Sequence, residues 1–147
     1  MRKIVYIRSN NFEGIESGLA ERFDVEAYPH LTADFIDWME KRREEGKTYN
    51  ALVTNVPHRL PTDILEERPL IPLVTYTSIY YKGLELLQDI KKRFPEMKIV
   101  AYTGADKIST VELIFKFRGP VDEIVFKSGD WKEDLKKIKK ELESLLA

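Results

Sequence analysis

Four short apolar runs of this chain each end on a residue that could do chemistry. Lys3-Ile-Val-Tyr-Ile-Arg8 ends on a guanidinium and continues into Ser9 and Asn10. Ala51-Leu-Val-Thr54 leads to Asn55, Lys98-Ile-Val-Ala-Tyr102 to Thr103, and Glu123-Ile-Val-Phe126 to Lys127. If parallel strands carry these runs, their carboxyl ends meet at one crevice, where open α/β sheets bind ligands. The set gathered there is two cations, hydroxyls and amides, with no certain carboxylate. It favours an anion over a cation, and Arg8, Thr103 and Lys127 are the candidate anion ligands. It offers neither a general base nor an activated nucleophile, so no catalytic residue is assigned and the chain is read as a non-enzyme.

Other chemistries find less support. His30 follows a proline and His58 opens a loop; neither has an acidic or histidine neighbour at ligand spacing, so both read as solvent-facing. Ser9, Ser17, Ser78 and Ser109 lack a nucleophile-elbow context. Gly14 and Gly18 do not make a dinucleotide fingerprint, and there is no phosphate loop. Without cysteine there is no disulfide framework or thiolate metal site. No metal and no cofactor are expected. A net charge of −1 sets up no field for nucleic acid or an acidic membrane. The apolar run near the start is too short for a signal peptide or a membrane span, and a cytoplasmic protein is expected.

The elements that must position these residues follow from the hydrophobic period. The first run is almost continuously apolar, as a strand buried on both faces is. Phe23-Asp-Val-Glu-Ala-Tyr28 alternates and reads as an edge strand, and residues 12–22 between the two predict a short helix. Thr32 can cap a helix with Asp34 in its first turn and a stripe of Phe35, Trp38 and Met39, stopped at Gly46. A longer helix carries Ile79, Leu86, Leu87, Ile90 and Phe94 and stops at Pro95. Ser109-Thr-Val-Glu112 is a capping box for a further helix, stopped by Gly119-Pro120. The last helix carries Trp131, Leu135, Ile138, Leu142 and Leu145, with the pairs Glu133–Lys137 and Lys139–Glu143 one turn apart. This alternation, without repeat or linker over 147 residues, predicts one α/β domain with a parallel sheet.

The stretch from Gly83-Leu-Glu-Leu-Leu through Phe94-Pro95 to Ala101-Tyr-Thr103, followed by Lys127 in Glu-Ile-Val-Phe-Lys-Ser, resembles a response-regulator receiver domain. The resemblance covers most of the chain, is strongest over residues 83–103 and around Lys127, and is weakest over 56–77. It implies a flavodoxin-like, doubly wound, five-stranded parallel sheet of order 2-1-3-4-5 spanning residues 1–147. It places a site at Ser9, Asn10, Asn55, Thr103 and Lys127, with Thr103 and Lys127 as the hydroxyl and ammonium that read phosphoryl oxygens. The family's chemistry needs a carboxylate where Asn55 stands, to attack phosphorus. It also needs an acidic pair where Arg8, Ser9 and Asn10 stand, to hold Mg²⁺. An amide is no acyl-phosphate nucleophile, and Glu13, the nearest acid, is expected in the first turn of a helix. The resemblance therefore implies a pseudo-receiver derived from two-component signalling. It would act through a protein partner or a homodimer, without Mg²⁺ and without phosphorylation.

Receivers pass almost directly from the third strand to the long helix, whereas here residues 58–77 intervene as an insertion. Thr62-Asp-Ile-Leu-Glu-Glu reads as one or two helical turns and Pro69-Leu-Ile-Pro-Leu-Val-Thr-Tyr76 as extended. Leu70, Ile71, Leu73 and Val74 are too apolar to stay solvated, so the insertion is expected beside the crevice, as an edge element or against a second subunit. The helix opened by Ser109 carries Val111, Leu113, Ile114, Phe115 and Phe117, more than one core-facing stripe can hold. Phe115, Phe117, Ile71 and Val74 are the candidate interface residues. The competing reading is a small anionic-ligand-binding α/β protein that uses the crevice, with the insertion as its lid.

Overall fold

Strands that are apolar on both faces need helices on both faces, and the chain supplies them. The computed structural model describes residues 1–9, 11–55, 73–104 and 119–147, with the side chains of 73–82 left aside. In chain order run β1 (Lys3–Ile7), α1 (Glu13–Ala20), β2 (Asp24–Tyr28), α2 (Ala33–Glu44), β3 (Ala51–Thr54), α3 (Leu73–Arg93), β4 (Lys98–Thr103), β5 (Glu123–Phe126) and α4 (Trp131–Leu145). The strands form one parallel sheet in the order β2-β1-β3-β4-β5, the doubly wound order that the resemblance implied. β2, the strand that alternates in sequence, lies at an edge, and β1 lies inside.

The period of two along each strand divides the core into two layers. Val5, Ile7, Leu52, Ile99 and Ala101 face one way and pack with Phe35, Ile36 and Met39 of α2 and Leu84, Leu87 and Ile90 of α3. Ile4, Tyr6, Ala51, Val53, Val100, Tyr102 and Val125 face the other way, onto Ile15 and Leu19 of α1 and Ile138 and Leu142 of α4. The Thr32 hydroxyl accepts the Phe35 N–H at 3.4 Å and so caps α2, as its spacing predicted. Gly46, with φ of 81°, follows the end of that helix. Asp130 caps α4 by accepting the N–H groups of Lys132 and Glu133.

Two expectations need correction. Leu73 to Tyr76, expected extended, belong to α3, which starts well before the Gly83 segment. β-prone residue types are a weak local preference, and here a continuing helix overrides it. Residues 58–72 of the insertion, Ile71 among them, lie outside the described residues, as does the side chain of Val74. So does the Ser109 helix with Phe115 and Phe117. The second correction concerns α4. Its charges do not pair as the one-turn spacing suggested. Lys136 pairs with Glu133 at 3.2 Å, Lys139 reaches Glu21 at 3.5 Å, and Glu143 receives Arg22 at 2.6 Å, so two of the three pairs cross from α4 to the end of α1.

The glycines of α1 are explained by that same packing. A methyl group at Gly18 would stand 2.2 Å from Leu135 Cδ2 and 3.2 Å from its Cγ; one at Gly14 would stand 2.6 Å from the Trp131 ring. The two glycines, one turn apart, form a flat track that admits Leu135 and Trp131, and Phe12 closes on Trp131 at 4.9 Å. Overlap this deep puts Gly18→Ala near the top of the overpacking range of about 1–3 kcal/mol, against roughly 1 kcal/mol of helix propensity gained. A net loss of about 2 kcal/mol is expected in urea unfolding. In a Leu135→Ala background the same change is expected to be neutral or stabilising, and a full loss there would show that Leu135 is not the obstacle.

Candidate functional site

The strand register brings the sequence-predicted residues to one end of the sheet. Thr54 pairs with Ala101, so Asn55 follows at the level of Tyr102 and Thr103. Thr103 pairs with Phe126, and the Lys127 N–H donates to the Thr103 carbonyl at 2.7 Å, which sets the two predicted phosphoryl readers side by side. β1 continues past Ile7 through Arg8 N–H to Tyr28 O at 2.9 Å and Ser9 N–H to Pro29 O at 2.7 Å. Asn10 lies outside the described residues.

Each side chain then has its own circumstances. Thr103 is buried. Lys127 is exposed and holds its Nζ 5.1 Å from the centroid of the Tyr102 ring. Ser9 has φ of 46°, the left-handed region, and is the one non-glycine residue there among those described. That conformation costs an ordinary residue about 1–2 kcal/mol. It turns the chain so that Asn11 N–H can donate back to Arg8 O at 2.9 Å. Arg8 is committed elsewhere: its guanidinium donates to both carboxylate oxygens of Glu16, at 2.7 and 3.2 Å. Asn55 is half-buried, and its Oδ1 is shielded from solvent with no hydrogen-bond partner among the described residues.

Sequence reasoning passed over the polar groups just beneath this surface. The Tyr6 hydroxyl and both amide atoms of Asn11 are buried and also lack a partner among the described residues. Burial holds the Tyr6 phenol up at about 12; Asn11 is close enough to work against that rise, though not in hydrogen-bond geometry. Bonded to Tyr102 is Asp134 of α4, a buried carboxylate. It accepts the Tyr102 hydroxyl at 2.6 Å, the Ser128 hydroxyl at 2.7 Å and the Ser128 N–H at 3.2 Å. Tyr102 thus joins Asp134 below to Lys127 above. The signal that could have found these groups is a tyrosine within an otherwise aliphatic strand, since a buried hydroxyl needs a partner.

Among the described residues the donor chemistry does not suit Mg²⁺. A hard divalent cation wants anionic oxygen, and Asn55 offers one neutral amide oxygen. Glu13 sits in the first turn of α1 and Glu16 is taken by Arg8. Among the described residues no three carboxylate, imidazole or thiol groups come together. Among them, too, no helix is long and apolar enough to cross a membrane. His30 is exposed.

This architecture is that of response-regulator receiver domains. The sequence matches no protein-family model and no curated protein, and the likeness is one of structure. The chain is similar to a CheY-like receiver domain protein of Methanospirillum hungatei, with 18% identity and a TM-score of 0.56 over 99% of this chain and 96% of that one. It is similar to the phosphorylated cyanobacterial phytochrome response regulator RcpA, with 14% identity and a TM-score of 0.64 over 99% and 94%. It is also similar to DrrB, an OmpR/PhoB homologue of Thermotoga maritima, with 20% identity and a TM-score of 0.59. There it covers 98% of itself and 54% of that regulator.

Proposed function

We propose that this chain is a receiver-like signalling or protein-interaction module that works without phosphorylation, through a protein partner or a second copy of itself. The observation that carries the reading is the neutral Asn55 at the end of β3, in a crevice whose arginine is already paired with Glu16. A phosphorylation switch needs an anionic nucleophile and a metal to neutralise developing charge, and the residues at these positions supply neither. What remains of the receiver design is its framework and its surfaces, among which Phe115, Phe117, Ile71 and Val74 are the proposed contact residues. A small anion held by Thr103 and Lys127 is the second reading, supported by their adjacency across β4 and β5.

The test is direct. The chain incubated with acetyl phosphate and Mg²⁺ is expected to show no added phosphoryl mass. Asn55→Asp alone is expected to fail as well, because Arg8 and Ser9 still hold no metal. An acid-labile phosphoryl adduct on the unaltered chain would overturn the proposal.

A further inference from the structure

Four polar atoms at the crevice end of β1 and β3 are buried without a partner among the described residues: the Tyr6 hydroxyl, both amide atoms of Asn11, and Oδ1 of Asn55. Their elements bring them together. Tyr6 pairs with Val53, so Asn55 follows two residues on at the end of the adjoining strand. Asn11 is folded back over β1 by its backbone bond to Arg8, with its amide against the Tyr6 hydroxyl. Native interiors seldom leave such groups dry, and each one calls for an occupant.

The chemistry of the set selects that occupant. Two amide oxygens accept, the Asn11 amide nitrogen donates, and the Tyr6 hydroxyl can do either. Interchanging the oxygen and nitrogen of Asn11 changes nothing, since both atoms are unpaired. An anion only accepts, and would set its charge against the amide oxygens. A metal cation takes only lone pairs, and would face the Asn11 amide hydrogens. A small neutral molecule that donates and accepts at once suits all four atoms. Arg8 and Glu16 neutralise each other and need not enter.

We propose that Tyr6, Asn11 and Asn55 bind ordered internal water, a neutral hydrogen-bonded plug between the turn after β1 and the end of β3. A buried water makes about three hydrogen bonds, so one or two molecules would satisfy the cluster. The plug ties the turn after the left-handed Ser9 to the Asn55 side chain, joining two segments that carry crevice residues. It stands whether or not the chain signals, and its failure would leave the phosphorylation test untouched.

A crystal structure of the unaltered chain tests it first. Density is expected within about 2.7–3.2 Å of the Tyr6 hydroxyl, the Asn11 amide and Asn55 Oδ1, unchanged by soaking in magnesium chloride or inorganic phosphate. Water magnetic relaxation dispersion tests it in solution, where Asn11→Leu and Asn55→Leu are each expected to lose at least one long-lived internal water while keeping the circular dichroism of the parent. An empty site, direct bonds among the three side chains, an ion taken up on soaking, or an unaltered dispersion in both folded variants would overturn it.

Discussion

Replacing Asp134 by alanine is expected to lower stability by about 3–5 kcal/mol. The carboxylate is 1% exposed and gathers the Tyr102 hydroxyl, the Ser128 hydroxyl and the Ser128 N–H. Hydrogen bonds to a charged acceptor are worth roughly 1.5–3 kcal/mol, and each buried donor left unpaired costs about 1–3 kcal/mol. Alanine removes the acceptor and strands the Tyr102 hydroxyl, whose side chain is nearly as buried. Asp134→Asn keeps the shape and one acceptor oxygen, and the Tyr102 and Ser128 hydroxyls can turn to accept its NH₂. It is therefore expected to recover part of the loss while forfeiting the charge-assisted bonds. Urea unfolding checks both variants. In a Tyr102→Phe background the alanine change should cost at least 1 kcal/mol less, since one stranded donor has gone. An equal cost in both backgrounds would remove the tyrosine from the network. The effect reaches the crevice, because the ring held by Asp134 is the one over which Lys127 lies.

The fold was legible wherever one residue does one local job. Thr32 and Gly46 bracket α2 because a cap and a left-handed stop depend on neighbours a few positions away. The near-continuous apolar run of β1 required burial on both faces, which put it inside the sheet. The start of α3 was not legible, because the residues after Pro72 prefer strand by type, and the tertiary setting that decides between helix and strand lies beyond the window. Leu84 is fully buried in that helix, although the apolar stripe legible in the sequence runs through Leu86.

The site was legible in its positions and less so in its pairings. Asn55, Thr103 and Lys127 stand at strand ends, as the four runs indicated. That Arg8 would be spent on Glu16 depends on a turn and a helix folding back over eight residues, for which spacing within an ideal helix gives no guide. Asp134 occupies what α4's sequence presents as a charged face among lysines and glutamates. Only the approach of Tyr102 and Ser128 from β4 and the β5–α4 loop explains a carboxylate on the inner side.

The buried tyrosines also set how the protein responds to alkali. Tyr6, Tyr49 and Tyr102 all hold their protons more tightly in the folded chain than free in water, with burial the largest cause in each. For Tyr49 and Tyr102 the next causes are their hydrogen bonds to Glu26 and Asp134. An unfolded tyrosine ionises near pH 10, whereas Tyr6 does so in the folded chain at about 12. Between these values the unfolded chain has lost a proton that the folded chain keeps, so alkali favours unfolding. The stability involved is fully present below about pH 10 and is lost as pH rises toward 12. Two pH units at about 1.4 kcal/mol each give about 2–3 kcal/mol for Tyr6 alone, and Tyr49 and Tyr102 deepen the fall. The urea midpoint is therefore expected to drop steeply above about pH 10, and the share of tyrosinate absorbance that Tyr6→Phe removes is expected to rise together with unfolding. Tyr6→Phe cannot ionise there, and its stability relative to the parent should improve steadily across that window. A difference between the two proteins that stays constant from neutral pH to about pH 12 would mean that Tyr6 titrates as it does in water. The hydroxyl would then have solvent access that its 2% exposure denies.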